Sequence, residues 1–257
     1  VESRRQEESL LLLDKACLQG RLLQFPTADQ SASAALSLLQ GDDLRNQPDA
    51  ALSFKKAMVG KVVELSEIYR DAGRLARAED VLSLLCSQVL KGFVKGKPAY
   101  PAKDGNDAFS NDFSDTFLFA SLGKFYLDTK RAPLAMKQFR LARETSPNYL
   151  PPLLLLDTAV CAERLGLKEE AARNYLEFEE NLGLLPYSLA DRQPGWRIKY
   201  LRKAFEAVVS SPGFGREKLP GICERFSGEL QSQWPRPREL MRIYRVWLSH
   251  LPADCPE

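Results

Sequence analysis

The stretch ASLGKFYLDTKRAPLAMKQF, residues 120–139, decides how the fold is read. It reads as helix, turn, helix. Phe119, Leu122, Gly123 and Tyr126 stand at i, i+3, i+4 and i+7, which is one face of an α-helix. Ala135, Phe139 and Ala142 stand at i, i+4 and i+7 on the next, and Pro147 closes the unit. A glycine inside a helix costs about 1 kcal/mol against alanine, so Gly123 needs a reason. It is not a phosphate loop, because no GxGxxG surrounds it.

The order is large, large, small, aromatic, then small, aromatic, small, then proline. This resembles a tetratricopeptide repeat, a 34-residue motif whose signature positions are all filled here. The resemblance implies two antiparallel helices packed closely, with the small residue of the first making room for a ring of the second. It therefore places Phe139 against Gly123 and Ala135 beside Tyr126. Burying a Phe side chain, worth about 1.5–3 kcal/mol, outweighs the propensity lost at the glycine.

Weaker copies flank the unit. Upstream stand Val62, Leu65, Ser66 and Tyr69, then Gly73, then Ala78, Leu82 and Leu85. The step from Ser66 to Gly123 is one period plus an insertion, which coincides with the glycine- and proline-rich stretch 91–112. Downstream, Leu155, Ala159 and Ala162 precede Gly166, and Ala171, Tyr175 and Phe178 follow; Pro151-Pro152 reads as a two-residue insertion. AALSFKKA (50–57) also matches small-aromatic-small, but it runs unbroken into the upstream helix and is read as part of it.

The expected fold is all-α: a right-handed antiparallel helical solenoid of tetratricopeptide-like repeats with extra capping helices at both ends. The repeats occupy 58–183, with an insertion over 91–114; the helices over 1–57 and 184–257 are expected as caps or degenerate repeats, the whole as one continuous domain. Helices are expected at about Ser3–Gln24, ended by Pro26, and at about Asp29–Leu39, Pro48–Ala72 and Leu75–Lys91. Four more fall between 115 and 183, and three after 196, the last at about Arg236–His250.

Composition excludes little. The 257 residues are 44% hydrophobic and 27% charged, with a net charge of +2. That is an ordinary globular balance with no bias toward a strongly charged partner. No apolar run reaches the length of a membrane span. Cys17, Cys86, Cys161, Cys223 and Cys255 are scattered and form no CxxC pair. They read as reduced, buried thiols and favour a reducing, cytoplasmic compartment. Val1 in place of a methionine marks a processed or trimmed chain, in which a leader would not be seen.

Catalytic machinery is not legible. His250 is the one histidine, with no orienting acid nearby in sequence. HExxH, P-loop and EF-hand patterns are missing, and KDGND (103–107) lacks the spacing and closing Glu of a calcium loop. Glu169-Glu170 and Glu179-Glu180 read as solvated helix faces. The expectation is a non-catalytic chain without cofactor or metal.

The resemblance further implies that the first helix of each unit lines a concave surface. The lining residues are then Glu67 and Arg70; Phe117, Ala120, Lys124 and Leu127; and Leu153, Leu156, Val160 and Glu163. The Lys, Asn and Arg clamp with which chaperone-binding family members grip a peptide C-terminus is missing, apart from Lys124. The surface is apolar at its centre and charged at its edges. It suits an apolar or amphipathic segment, peptide or helix, of a partner protein, so the chain is expected to be a scaffold or adaptor in a larger assembly. The 91–112 stretch, with Phe93, Tyr100 and Phe109, is a candidate lid or cover for that surface.

The alternative lies at the C-terminal end. Residues 191–250 hold 12 Lys or Arg against 6 Asp or Glu, a net of +6. WPRPRELMRIYRVW (234–247) interleaves rings with Arg236, Arg238, Arg242 and Arg245. Such a face can hold nucleic acid (RNA) through phosphate contacts and stacking, or an acidic protein. Equally, Leu240, Ile243 and Trp247 share one helical face and can dock it as a cap.

Overall fold

The computed structural model describes residues 2–38, 49–90, 114–146, 150–181, 196–211, 217 and 219–233. Among them ten α-helices follow in order: α1 (Glu2–Arg21), α2 (Phe25–Ser37), α3 (Asp49–Asp71), α4 (Leu75–Leu90), α5 (Ser114–Asp128), α6 (Ala132–Thr145), α7 (Pro152–Arg164), α8 (Lys168–Glu180), α9 (Trp196–Val209) and α10 (Leu219–Gln233). The chain divides into two compact units, Val1–Leu150 and Pro151–Glu257. The all-α expectation holds, and AALSFKKA does lie within the single long helix α3. The stretch 91–112, Pro147 and the expected helix over Arg236–His250 lie outside the described residues.

Four helix pairs share one turn. At the ends of α1, α3, α5 and α7, Leu23, Gly73, Lys130 and Gly166 adopt positive φ, 59°, 74°, 63° and 71°. The next amide in each case reaches back to a carbonyl five residues earlier: Gln24 to Gln19, Arg74 to Tyr69, Arg131 to Tyr126 and Leu167 to Ala162, at 2.8–2.9 Å. The left-handed residue itself bonds three back, as Gly73 does to Arg70 at 2.9 Å. This pair of bonds is the Schellman closure, which satisfies the orphan carbonyls of the last turn. The residue that ends one helix then starts the next, since Ala28, Ala78, Ala135 and Ala171 each donate to the carbonyl of that turn residue.

Small side chains fix how closely the helices of a pair approach. Counting back seven residues from each left-handed position gives Ala16, Ser66, Gly123 and Ala159. All are buried, and each stands twelve residues before the alanine that opens the second helix. At Gly123 the fit is closest. A Cβ built there would sit 2.5 Å from Cε1 and 2.6 Å from Cδ1 of Phe139. Real Cβ atoms do not approach a ring so closely, so Phe139, 1% exposed, fills the space that the glycine leaves.

The first pair shares this geometry. α1 and α2 lie in the stretch expected as caps or degenerate repeats, and Ala16, Ala28 and the Leu23 turn match the corresponding positions of the other pairs. What hides it in the sequence is Gln19, where the second and third pairs have Tyr69 and Tyr126. Pro26 differs from expectation. It does not end α1 but sits in the first turn of α2, where a missing N–H breaks no helical bond.

In the first unit α1 packs on α3 and α3 on α5. Lys55 of α3 and Asp115 of α5 form an ion pair at 2.8 Å with side chains 7% and 8% exposed. Asp115 is also in the first turn of α5, where the helix dipole favours a carboxylate. In the second unit α7 packs on α8, α8 on α9 and α9 on α10, around Tyr175, Phe178 and Phe205.

Two glycines in helices should respond oppositely to alanine. Gly123→Ala forces Phe139 aside, and overpacking of about 1–3 kcal/mol outweighs the propensity gained. Gly60→Ala on α3 meets nothing within 4 Å and should stabilise by up to about 1 kcal/mol. Urea midpoints of the two variants decide it: equal stabilities would refute the close approach. Removing one partner of the buried pair, as in Lys55→Met, should cost about 3–5 kcal/mol, whereas Lys55→Met/Asp115→Leu recovers most of it by leaving no charge behind.

Candidate functional site

The candidate face is built where α3 and α5 lie side by side in the first unit. What aligns them is a polar clasp repeated from one helix pair to the next. Asp29, on the second helix of the first pair, accepts from Tyr69 Oη at 2.7 Å and from Arg74 at 3.2 Å; Arg77 Nε lies 3.2 Å away. Glu79 occupies the corresponding position on α4, and Arg131 donates to it at 2.8 Å. Tyr126 hydrogen-bonds with Glu79 and Ser83. Arg74 and Arg131 both hold the turn residue before the second helix, and each lies over rings. Arg74 is 4.8 Å from the Phe25 centroid and Arg131 is 4.6 Å from that of Tyr126.

The clasp shifts its own titrations. Burial alone would raise the Asp29 carboxyl, but hydrogen bonds from Tyr69 and Arg77 and the charges of Arg77 and Arg74 outweigh it. They hold the group below its ordinary value. Burial, then the bond to Asp29, push the Tyr69 hydroxyl well above the usual range.

Between α3 and α5 a shallow depression is lined by Val63, Ser66, Glu67, Arg70, Leu82, Ser121, Lys124 and Phe125. Asp128 bridges its two cations, 3.8 Å from Arg70 and 3.7 Å from Lys124. Phe117 lies on the same stripe of α5, one and two turns before Ser121 and Lys124, and is 51% exposed. Three expected residues, Glu67, Arg70 and Lys124, thus meet in one place, with Phe117 beside them. Ser66, Ser121 and Asp128 were not anticipated. The signal for the last two is the i, i+4, i+7, i+11 series 117, 121, 124, 128.

That series also corrects the expected register. Leu127 lies about 80° round α5 from Phe117 and is 2% exposed, so it belongs to the core rather than to an open face. Ala120, on the same flank, is half-buried. The second unit repeats the displacement. On α7, Leu153 is exposed and Val160 half-buried, but Leu156 is 9% exposed and is withdrawn as a surface contact. Glu163 is engaged within its own unit, accepting from Tyr175 Oη at 2.9 Å and from Lys203 Nζ at 2.5 Å. Burial opposes ionisation of Glu163, but these two donors hold its carboxyl below the ordinary value. Arg236, Arg238, Arg242, Arg245 and His250 lie outside the described residues.

Two buried cysteines are not primed as nucleophiles. Burial, and secondarily Glu64, pushes the Cys17 thiol up to about 11; burial, then Asp115, pushes Cys86 up to about 12. Both stay thiols at neutral pH, which disarms them as nucleophiles. Among the described residues no three His, Cys, Asp or Glu side chains gather as metal ligands, and no helix is long and apolar enough to cross a membrane.

No protein-family model matches the chain, and no curated protein matches it. Among solved structures it is similar to nearly identical TPR-like repeats from a Podosopora anserina chain designated a kinesin light chain. Identity is 13% and the TM-score 0.49, over 92% of this chain and 99% of that one. A single-residue variant of those repeats gives 12% and 0.47, over 86% and 93%. The common turn and the small-residue positions give the described helix pairs a tetratricopeptide-like repeat fold.

Because the Asp29 carboxyl is depressed, its stabilisation is full above the ordinary value of 3.8 and is lost as pH falls through the lower, folded value. Asp29→Asn should therefore lose about 1 kcal/mol at pH 7 and progressively less below pH 4. Urea midpoints across that range test it; parallel curves for the two proteins would show that the clasp does not depend on the charge.

Proposed function

We propose that the chain is a protein-interaction scaffold whose α3–α5 face takes up an amphipathic segment of another protein. The observation that carries this reading is the depression in which Arg70, Lys124 and Asp128 form a charged group beside exposed Phe117. An apolar side chain of the segment lies against Phe117, and a polar or charged one inserts into the ion network. The surface is formed before the partner arrives, because the clasps and the buried Lys55–Asp115 pair already hold α3 and α5. A preformed face limits the ordering that binding must bring about.

On α7, Leu153 and Val160 offer a separate apolar contact in the second unit. The basic 191–250 region remains the second route to a partner, nucleic acid or acidic protein, on the strength of its charge alone.

The test is a pull-down from native extract with wild type beside Phe117→Asp/Lys124→Glu. Both positions are exposed, so the fold should survive, and circular dichroism checks that. A bound protein lost by at least tenfold in the variant supports the face. A full set of partners retained by the variant would move the site elsewhere, first to the basic C-terminal region. The latter binding should weaken steeply between low and high salt if phosphate is the ligand.

A further inference from the structure

Leu10, Gly60, Phe117 and Leu153 each stand thirteen residues before the left-handed turn residue that closes their helix. Three of the four are large and apolar. Phe117 and Leu153 are 51% and 47% exposed, and Leu10 is half-buried. On α3 the position is a glycine. In other respects the stripes of α3 and α5 match: Gly60, Glu64, Glu67 and Asp71 repeat the spacing and, in order, the exposure of Phe117, Ser121, Lys124 and Asp128. Lys55 pairs with Asp115, and Arg70 with Asp128. Between these two ties α3 runs alongside α5, and Gly60 falls at the level of Phe117.

Each other described glycine of the first unit has an internal reason. A Cβ on Gly20 would stand 3.0 Å from Ile68 Cγ2, one on Gly123 would enter the Phe139 ring, and Gly73 has a φ of 74°. Gly60 differs on both counts. Its φ is outside the left-handed range, and among the described residues nothing lies within 4 Å of a Cβ built on it. Glycine at this point weakens the helix with no packing gain to offset it. A surface position that gives up stability is one where function can compete with it.

We propose that Gly60 sets the specificity of the α3–α5 face: the space over it, walled by Phe117 of α5 and Leu10 of α1, takes one large uncharged side chain, aromatic or leucine, of the partner segment. This rests on the reading of that face as a partner surface. Charge argues for an uncharged group. Arg21, Lys61, Arg70 and Lys124 each pair with a carboxylate of α1, α3 or α5. The row therefore holds no excess of positive charge to draw nucleic acid or an acidic tail. Apolar walls and a glycine floor let a ring descend to the α3 backbone and lose water on several sides, the setting in which an anchor side chain contributes most. A side chain at position 60 would fill the space and exclude the anchor by a clash.

Random peptides of about four helical turns, displayed and selected on the 257-residue chain, are the probe. The selected peptides should share one Phe, Tyr, Trp or Leu, and its replacement by alanine should weaken binding at least tenfold in fluorescence anisotropy. Gly60→Leu should bind the parent peptides at least tenfold more weakly with no loss of melting temperature. It should bind the alanine peptides as well as wild type does. A shared charged residue in place of the apolar one would overturn the proposal. Parent peptides that Gly60→Leu still binds, but Phe117→Asp/Lys124→Glu does not, would overturn the role of Gly60 and leave the face standing. Peptides indifferent to both variants, or no selected peptide, would overturn the face and the proposal together. The unliganded chain should sediment at 28.9 kDa up to about 200 μM. A dimer that Gly60→Leu dissociates would make a second copy the occupant and overturn the proposal.

Discussion

The approach of α5 and α6 at Gly123 is the constraint from which the rest follows. A Cβ there would stand 2.5 Å from the Phe139 ring, so the distance between the two helices is set by the absence of one carbon. The other pairs meet the same requirement with Ala16, Ser66 and Ala159, each buried. Close helices demand a short, sharply reversing turn. The Schellman closure provides one, and its left-handed residue costs little where glycine is present, at 73 and 166. At Leu23 and Lys130 the same conformation is imposed on residues that resist it, which shows that the packing of the pair, not the turn, dictates the geometry.

Helix pairs must then be held in register with their neighbours. In the first unit apolar burial does most of this, but it is non-directional. The polar clasps add direction. Asp29 and Glu79 stand at matching positions and are gripped by a turn arginine and a tyrosine of the following pair. Each clasp involves one acid and at least one cation stacked on a ring. The α7–α8 pair has Ala162 and Leu167 at the tyrosine and arginine positions and lacks these groups; its own polar tie is Glu163 with Tyr175 and Lys203.

A rigid frame of this kind leaves two surfaces that differ in chemistry. The α3–α5 face mixes an exposed ring with opposite charges already in contact. The outer face of α1 carries exposed Leu11, Leu18 and Leu22. One mixes polar and apolar groups, the other is chiefly apolar, so screening by salt acts on the first more than on the second.

Much of the fold was legible in the residues alone. The i, i+3, i+4, i+7 series around Gly123 predicted both helices and the contact with Phe139, because helical periodicity and the size of a side chain are local properties. The repeat character of the α1–α2 pair is harder to see because Gln19 stands where the second and third pairs have tyrosine, and Leu23 where the second and fourth have glycine, while small residues such as those at 16 and 28 are common. The candidate face was half legible. Glu67, Arg70 and Lys124 meet in one depression, whereas Leu127 and Leu156 are buried. The apolar character of a leucine is the same inside and outside, and a rotation of less than about 90° round a helix separates the two. The sequence by itself determined where helices run and which side chains must be small. Only the tertiary structure decided which stripe of each helix faces a neighbour and which faces water, because that depends on groups dozens of residues away.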